Sequence, residues 1–251
     1  MLHLLAISLV FICVSSSWSE ELSLGVASNF AAPMQLIQSA FEAETGHDLR
    51  VSYGSSGSLY AQIVNGAPFD VFLAADQVTL NALQDAELLV YSSRFTYAVG
   101  GLALWSADED LVSEDLDVLA EDEFDHIAVA NPEVAPYGQA ALDVIVVLGL
   151  AEQISSKLVT GENISQTYNF VATGSAELGF VALSQITRDG EITSGSYWVI
   201  PRDIYPPILQ DAAILSRAAG KSVAEEFFDY LRSPEAAQII RSYGYLLLAS
   251  E

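Results

Sequence analysis

Residues 53–65 read YGSSGSLYAQIVN, and the reading of this stretch decides the fold. A strand expected over Leu49–Tyr53 runs into Gly54-Ser55-Ser56-Gly57-Ser58, and Leu59, Ile63 and Val64 follow at helical spacing. That is a strand, a hydroxyl-rich turn and a helix start. First-turn N–H groups have no partner inside a helix, and they sit at the positive end of its dipole. Glycines that let the backbone approach and serines that add donors therefore suit an anion seat. The same residue types suit a plain capped turn, so on its own the stretch leaves both readings open.

The same unit recurs along the chain. Leu22–Ala27 reads as a buried strand, and Ser28-Asn29-Phe30 precedes a helix with Met34, Ile37 and Phe41 on one face, closed by Gly46. Phe69–Ala74 leads to a helix over Val78–Ala86. His126–Ala130 leads through Asn131-Pro132-Glu133 to a helix opened by Pro136-Tyr137-Gly138 and running to Leu148. Gly161 to Ser165 precedes a helix to Ala172, and Leu178–Leu183 is a short buried strand. Strands and helices that alternate with short loops imply parallel sheets covered on both faces, with the ligand crevice at the carboxyl ends of the strands. Two apolar passages, TYAVGGLALW at 96–105 and YPPILQDAAIL at 205–215, are suited to carry the chain into a second domain and back. The expectation is a two-lobed hinged receptor, with lobe I from 20–99 and 206–251 and lobe II from 100–205. In the tail, Ser222-x-x-Glu225 reads as a capping box, and Ser233-Pro234 as a cap before a helix-opening proline.

Residues 1–19 read as a signal peptide: Leu4 to Val14 is nearly all apolar, and Ser17 and Ser19 fit a small-x-small cleavage site. Cleavage there removes Cys13, the only cysteine, which excludes disulfides and thiolate metal sites. The remaining chain of about 230 residues has ample length for two domains. Its net charge of -24 argues against nucleic acid or an anionic membrane as partner. An anion site in so acidic a chain must work through local N–H and hydroxyl dipoles, in a pocket free of carboxylates. The ten carboxylates between Asp108 and Asp125 read as a solvated face, since they lack the spacing of a calcium loop.

An enzyme reading has one foothold, a serine on a strand-to-helix turn. A nucleophile elbow needs Gly-x-Ser-x-Gly, and Ser58 stands where the second glycine belongs. Only His47 and His126 remain as bases after leader removal, His47 at a helix-to-strand turn and His126 at the strand end opposite the crevice. Neither is placed to serve Ser56. Two histidines and no cysteine leave no transition-metal site.

The blocks GVASNFAAPM, YGSSGSLYAQIVNGAPFDVFLAADQ, ANPEVAPYGQAAL, LGFVAL, YPPILQDAAIL and SPEAAQIIRSYGY, in this order, resemble the periplasmic molybdate-binding proteins of ABC importers. The resemblance spans essentially the whole mature chain. It implies an α/β, two-lobed periplasmic-binding-protein-like fold, each lobe a mostly parallel sheet flanked by helices, with the ligand in the interlobe cleft. It also implies a non-enzymatic, monomeric periplasmic receptor, without cofactor, that holds molybdate or tungstate and delivers it to a membrane permease. Sulfate or phosphate is the alternative ligand, and a serine hydrolase the more distant alternative. Carried over by position, Ser28 and Ser56 offer hydroxyl and N–H, while Asn29, Tyr137 and Ile164 offer N–H; Ser55 is the neighbour that would replace Ser56 on a one-residue slip. Many relatives place a ligand tyrosine where this chain has Ala182, so that phenol is missing here.

Overall fold

The computed structural model describes residues 19–113, 118–119 and 124–248. The expected signal peptide, apart from Ser19, lies outside the described residues, as do Glu114, Asp115, Asp117, Glu121, Asp122 and Glu123 of the carboxylate-rich stretch. Among the described residues no helix is long and apolar enough to cross a membrane.

The first sheet contains β1 (Glu21–Ala27), β2 (Asp48–Gly54), β3 (Val71–Leu73), β4 (Phe95–Gly100) and β12 (Ile208–Ile214), in the order β2-β1-β3-β12-β4. The second contains β5 (Leu102–Ser106), β6 (Ile127–Ala130), β7 (Leu158–Gly161), β8 (Leu178–Ala182) and β11 (Ser196–Val199), in the order β11-β5-β8-β6-β7. A short hairpin of β9 (Thr187–Arg188) and β10 (Glu191–Ile192) lies apart. Both main sheets are mixed. The strand-helix units supply the parallel pairs β1/β2, β1/β3, β6/β7 and β6/β8, and β4, β5, β11 and β12 pair antiparallel.

Period-two alternation explains how each sheet is covered on both faces. In β1, Leu22, Leu24 and Val26 face a core shared with Phe30, Met34, Ile37 and Phe41. The opposite face of this sheet, through Phe72 and Ala213, packs on Leu59, Ile63, Leu80 and Leu83. In the second sheet Leu102, Leu104, Ile127, Val129, Leu178 and Phe180 face one cluster, while Ala103, Trp105, Ala128 and Val181 face the other.

The helices are α1 (Ala31–Thr45), α2 (Ser56–Val64), α3 (Val78–Asp85), α4 (Pro136–Val147), α5 (Ala151–Ile154), α6 (Ile164–Ala172), α7 (Leu183–Ile186), α8 (Ser222–Leu231) and α9 (Pro234–Ser242). Gly46 closes α1 at φ 76°, a left-handed conformation that favours glycine, and its N–H bonds the Glu42 carbonyl. Ser233 caps α9 as expected, its hydroxyl accepting the Ala236 N–H. The capping box at Ser222 does not form. The helix begins at Ser222 itself, so the cap position falls to Lys221, whose ammonium has no lone pair to accept a first-turn N–H and donates to Asp70, while the Ser222 hydroxyl donates to Glu20.

The chain passes between sheets twice. One residue, Gly101, separates β4 from β5, and the segment from Ile200 to Pro207 returns the chain from β11 to β12. Arg202 Nη1 donates to the Gly100 carbonyl at 2.8 Å, and the Leu102 N–H donates to the Tyr205 hydroxyl at 3.3 Å, so the two passages are bonded to each other.

Candidate functional site

Where the carboxyl ends of both sheets meet, a small cavity is lined by Ala27, Ser28, Asn29, Gly54, Ser55, Ser56, Ala75, Ala135, Pro136, Tyr137 and Ile164. Each wall follows directly from a strand: β1, β2 and β3 on one side, β6 and β7 on the other. The sequence-derived site residues Ser28, Asn29, Ser56, Tyr137 and Ile164 are therefore brought together, and all five are buried.

Helix geometry orients their donors. Ser56 is the first residue of α2, Tyr137 the second of α4 and Ile164 the first of α6, positions whose N–H groups have no intrahelical acceptor. Ser28 and Asn29 open a short 3-10 turn after β1. Among the described residues none of these five N–H groups has an acceptor. Three helix dipoles therefore present positive ends to one cavity.

The serines divide the work. Ser55 is the cap of α2, its hydroxyl accepting the Ser58 N–H and donating to Ser58 Oγ at 2.6 Å. Ser56 Oγ accepts the Ala75 N–H at 2.8 Å, which leaves its own proton free to donate. Ser28 Oγ donates to Asn163 Oδ1 at 3.3 Å, a long bond to the residue that caps α6. A ligand that takes the Ser28 proton displaces only the longest of the three bonds to that oxygen, since Ser165 N–H at 3.0 Å and Gln166 N–H at 3.1 Å remain.

The lining contains no Asp, Glu, Lys, Arg or His. His47 bonds the Glu20 N–H and Glu226, and His126 lies 4.0 Å from Glu177 at the start of β6, so neither serves as a base for Ser56. The cavity volume is about 10 Å³, room for about one water, against about 480 Å³ in the neighbouring groove. What suits it to an anion is the set of N–H groups and hydroxyls around it, not its volume in this closed arrangement. The groove is lined by Asp76, Glu133 and Asp143, which disfavour a dianion.

The arrangement is closed. Gly57 N–H donates to the Val134 carbonyl across the cleft at 2.9 Å, and Ser165 Oγ donates to the Ser28 carbonyl at 3.1 Å. Gly57 was expected to let the backbone approach a ligand. Its tight contact is instead with the opposite wall, where an added Cβ would lie 2.9 Å from Val134 Cα.

Beneath the cavity lies a buried polar cluster of Tyr97, Tyr137, Gln210 and Tyr245 around Asn29. Burial pushes the Tyr97 and Tyr137 hydroxyls well above the ordinary tyrosine value and Tyr245 up to about 12, so the cluster is neutral at physiological pH. Sequence reasoning missed Ala75, Asn163 and Gln210. Asn163 carried a readable signal, an amide directly before a helix; Gln210 carried a fainter one, a polar pair with Asp211 inside an apolar strand.

A family model described as bacterial extracellular solute-binding protein matches residues 22–246. The chain is 51% identical to the molybdate-binding protein ModA of Azotobacter vinelandii, over 90% of this chain and 89% of that one. It is 44% identical to the molybdate-binding protein ModA of Rhodobacter capsulatus, over 96% and 94% of the two chains. Among solved structures, the periplasmic molybdate-binding protein of Azotobacter vinelandii matches with a TM-score of 0.88 at 40% identity, covering 91% of this chain and 100% of that one. The solute-binding model accounts for nearly all the described residues, and the fold and sequence similarities run over the same span, so the chain belongs to the bacterial extracellular solute-binding protein family.

Proposed function

We propose that this protein is an extracytoplasmic receptor that binds molybdate, and tungstate with it, and delivers the anion to the permease of an ABC importer. The observation that carries the reading is the cavity: Ser28, Asn29, Ser56, Tyr137 and Ile164, whose N–H groups have no acceptor among the described residues, line it, and no charged side chain does. The near relatives of this chain that are named as molybdate-binding support the choice of anion.

Neutral donors bind a dianion through charge-assisted hydrogen bonds, each contributing roughly 1.5–3 kcal/mol. A donor-only lining has no acceptor for the proton of hydrogen phosphate. Sulfate is smaller than molybdate and leaves the same bonds long. The two lobes, 20–99 with 206–251 and 100–205, close on the anion about the two passages between sheets. The closed surface is what the permease recognises. The leader directs export and is cleaved near Ser19, and the receptor works as a monomer.

Ligand-dependent melting tests the assignment, because a ligand bound only by the folded state stabilises it by about 2.7 kcal/mol at a hundred times its Kd. Molybdate and tungstate should raise the melting temperature with concentration, and sulfate and phosphate should leave it in place. A rise with sulfate alone would transfer the assignment to a sulfate receptor.

A further inference from the structure

We infer that Gln210 is a positioning residue that couples the two halves of the anion cavity through a single buried carboxamide. The inference rests on the oxyanion-cage reading above. Gln210 lies in β12, at the irregularity between Gln210 and Asp211, and is fully buried. Its Oε1 accepts from Asn29 Nδ2 at 2.9 Å and from the Tyr97 hydroxyl at 2.9 Å. Its Nε2 donates to the Tyr137 hydroxyl at 3.1 Å. One side chain thus holds a cavity residue from each sheet.

Asn29 is held through both side-chain donors and its backbone carbonyl. Both protons of Nδ2 are taken, by Gln210 and by the Tyr245 hydroxyl at 2.8 Å. Its carbonyl accepts from Tyr245 and from Ser184, each at 2.9 Å. The Asn29 side chain therefore has no proton left for an anion; it aims the N–H of its own residue. Tyr137 divides in the same way, with its N–H at the cavity and its hydroxyl on Gln210.

An independent feature shows that room is kept for this contact. A Cβ at Gly100, the last residue of β4, would lie 2.3 Å from the Tyr137 hydroxyl and 2.8 Å from Gln210 Nε2. Any other residue there would push the two apart. Because Tyr137 and Gln210 stand on opposite sides of the cleft, their bond forms as the lobes close and contributes to binding through the closed population.

A double-mutant cycle on molybdate affinity, measured by calorimetry, tests this. Tyr137→Phe keeps the N–H and removes only the hydroxyl, and should weaken binding about tenfold. Gln210→Leu should weaken it at least as much, and adding Tyr137→Phe to Gln210→Leu should cost little more. Ser56→Ala, which acts on the anion directly, should add to Tyr137→Phe in full. Wild-type affinity in Tyr137→Phe, or full additivity of Tyr137→Phe with Gln210→Leu, would overturn the inference even if both variants melt lower, because a merely structural part moves melting without coupling. Where Gln210→Leu fails to fold, Gln210→Met, which removes the carboxamide at similar volume, replaces it in the cycle with the same expected coupling. Wild-type affinity in Ser56→Ala would defeat the cage reading itself, a distinct failure.

Discussion

At the scale of single residues, the chemistry follows from which protons are free. Ser56 keeps its proton because Ala75 N–H occupies the oxygen, and Asn29 has no side-chain proton left to give. The tyrosines beneath the site make a second statement, about stability. Unfolded tyrosine ionises near pH 10, whereas burial holds Tyr245 at about 12 and raises Tyr97 and Tyr137 as well. The unfolded chain thus loses protons first. Stability from these groups is complete below about pH 10 and is lost as pH rises from there through the folded values, at roughly 1.4 kcal/mol per unit per group. Melting followed from about pH 8 to about pH 11 should stay flat and then fall, with tyrosinate absorbance from the three buried tyrosines appearing only as the fold is lost. Early tyrosinate absorbance from all tyrosines in the folded protein would contradict the burial argument.

At the scale of elements, the closing contact of α2 depends on a missing side chain. Gly57→Ala would place a Cβ 2.9 Å from Val134 Cα, a backbone contact that cannot give way cheaply. The variant should fold with a near-normal melting temperature when unliganded and bind molybdate at least tenfold more weakly, since closure becomes costly while the donors of each half remain. Calorimetry beside unliganded melting reads both; normal affinity would mean the cleft binds without this contact. The elements themselves were largely legible in the sequence. Each strand-turn-helix unit announced itself by a period-two or apolar run, a small polar turn and a 3.6-residue periodicity, and Ser28, Ser56, Tyr137 and Ile164 all fall in such turns. Legibility failed where the outcome was tertiary. Ser222 has the spacing of a capping box, but the helix starts one residue early, and the Ser222 hydroxyl donates to Glu20, far away in sequence, so the cap is lost. Gly57 reads as a ligand-approach glycine, although it meets Val134, in the turn after β6 of the other sheet. No local pattern marks Gln210 as the link between Asn29 and Tyr137, because both its partners are remote in the chain.

For the whole molecule, two features set behaviour. Asp70, nearly buried at the edge of β3, accepts from Ser23 N–H and pairs with Lys221 at 2.9 Å and Arg217 at 3.3 Å, tying the C-terminal helices to the first sheet. Asp70→Ala should destabilise by about 1–3 kcal/mol, read in urea unfolding, with molybdate affinity unchanged, since the cations can turn to solvent. The net charge of -24 repels a dianion at long range, while the neutral cavity attracts it at contact. Raising ionic strength from about 0.01 M to about 0.15 M shortens the Debye length from about 30 Å to about 8 Å, so association should quicken with salt. Stopped-flow rates that fall with salt would point to a positive site outside the described donors. The central claim, that neutral dipoles alone cage the anion, is tested most directly by calorimetric titration of the mature protein and its Ser56→Ala variant with molybdate. The account predicts tight one-to-one binding weakened about ten- to a hundredfold by the substitution, with the fold intact; equal affinity in the two proteins would contradict it.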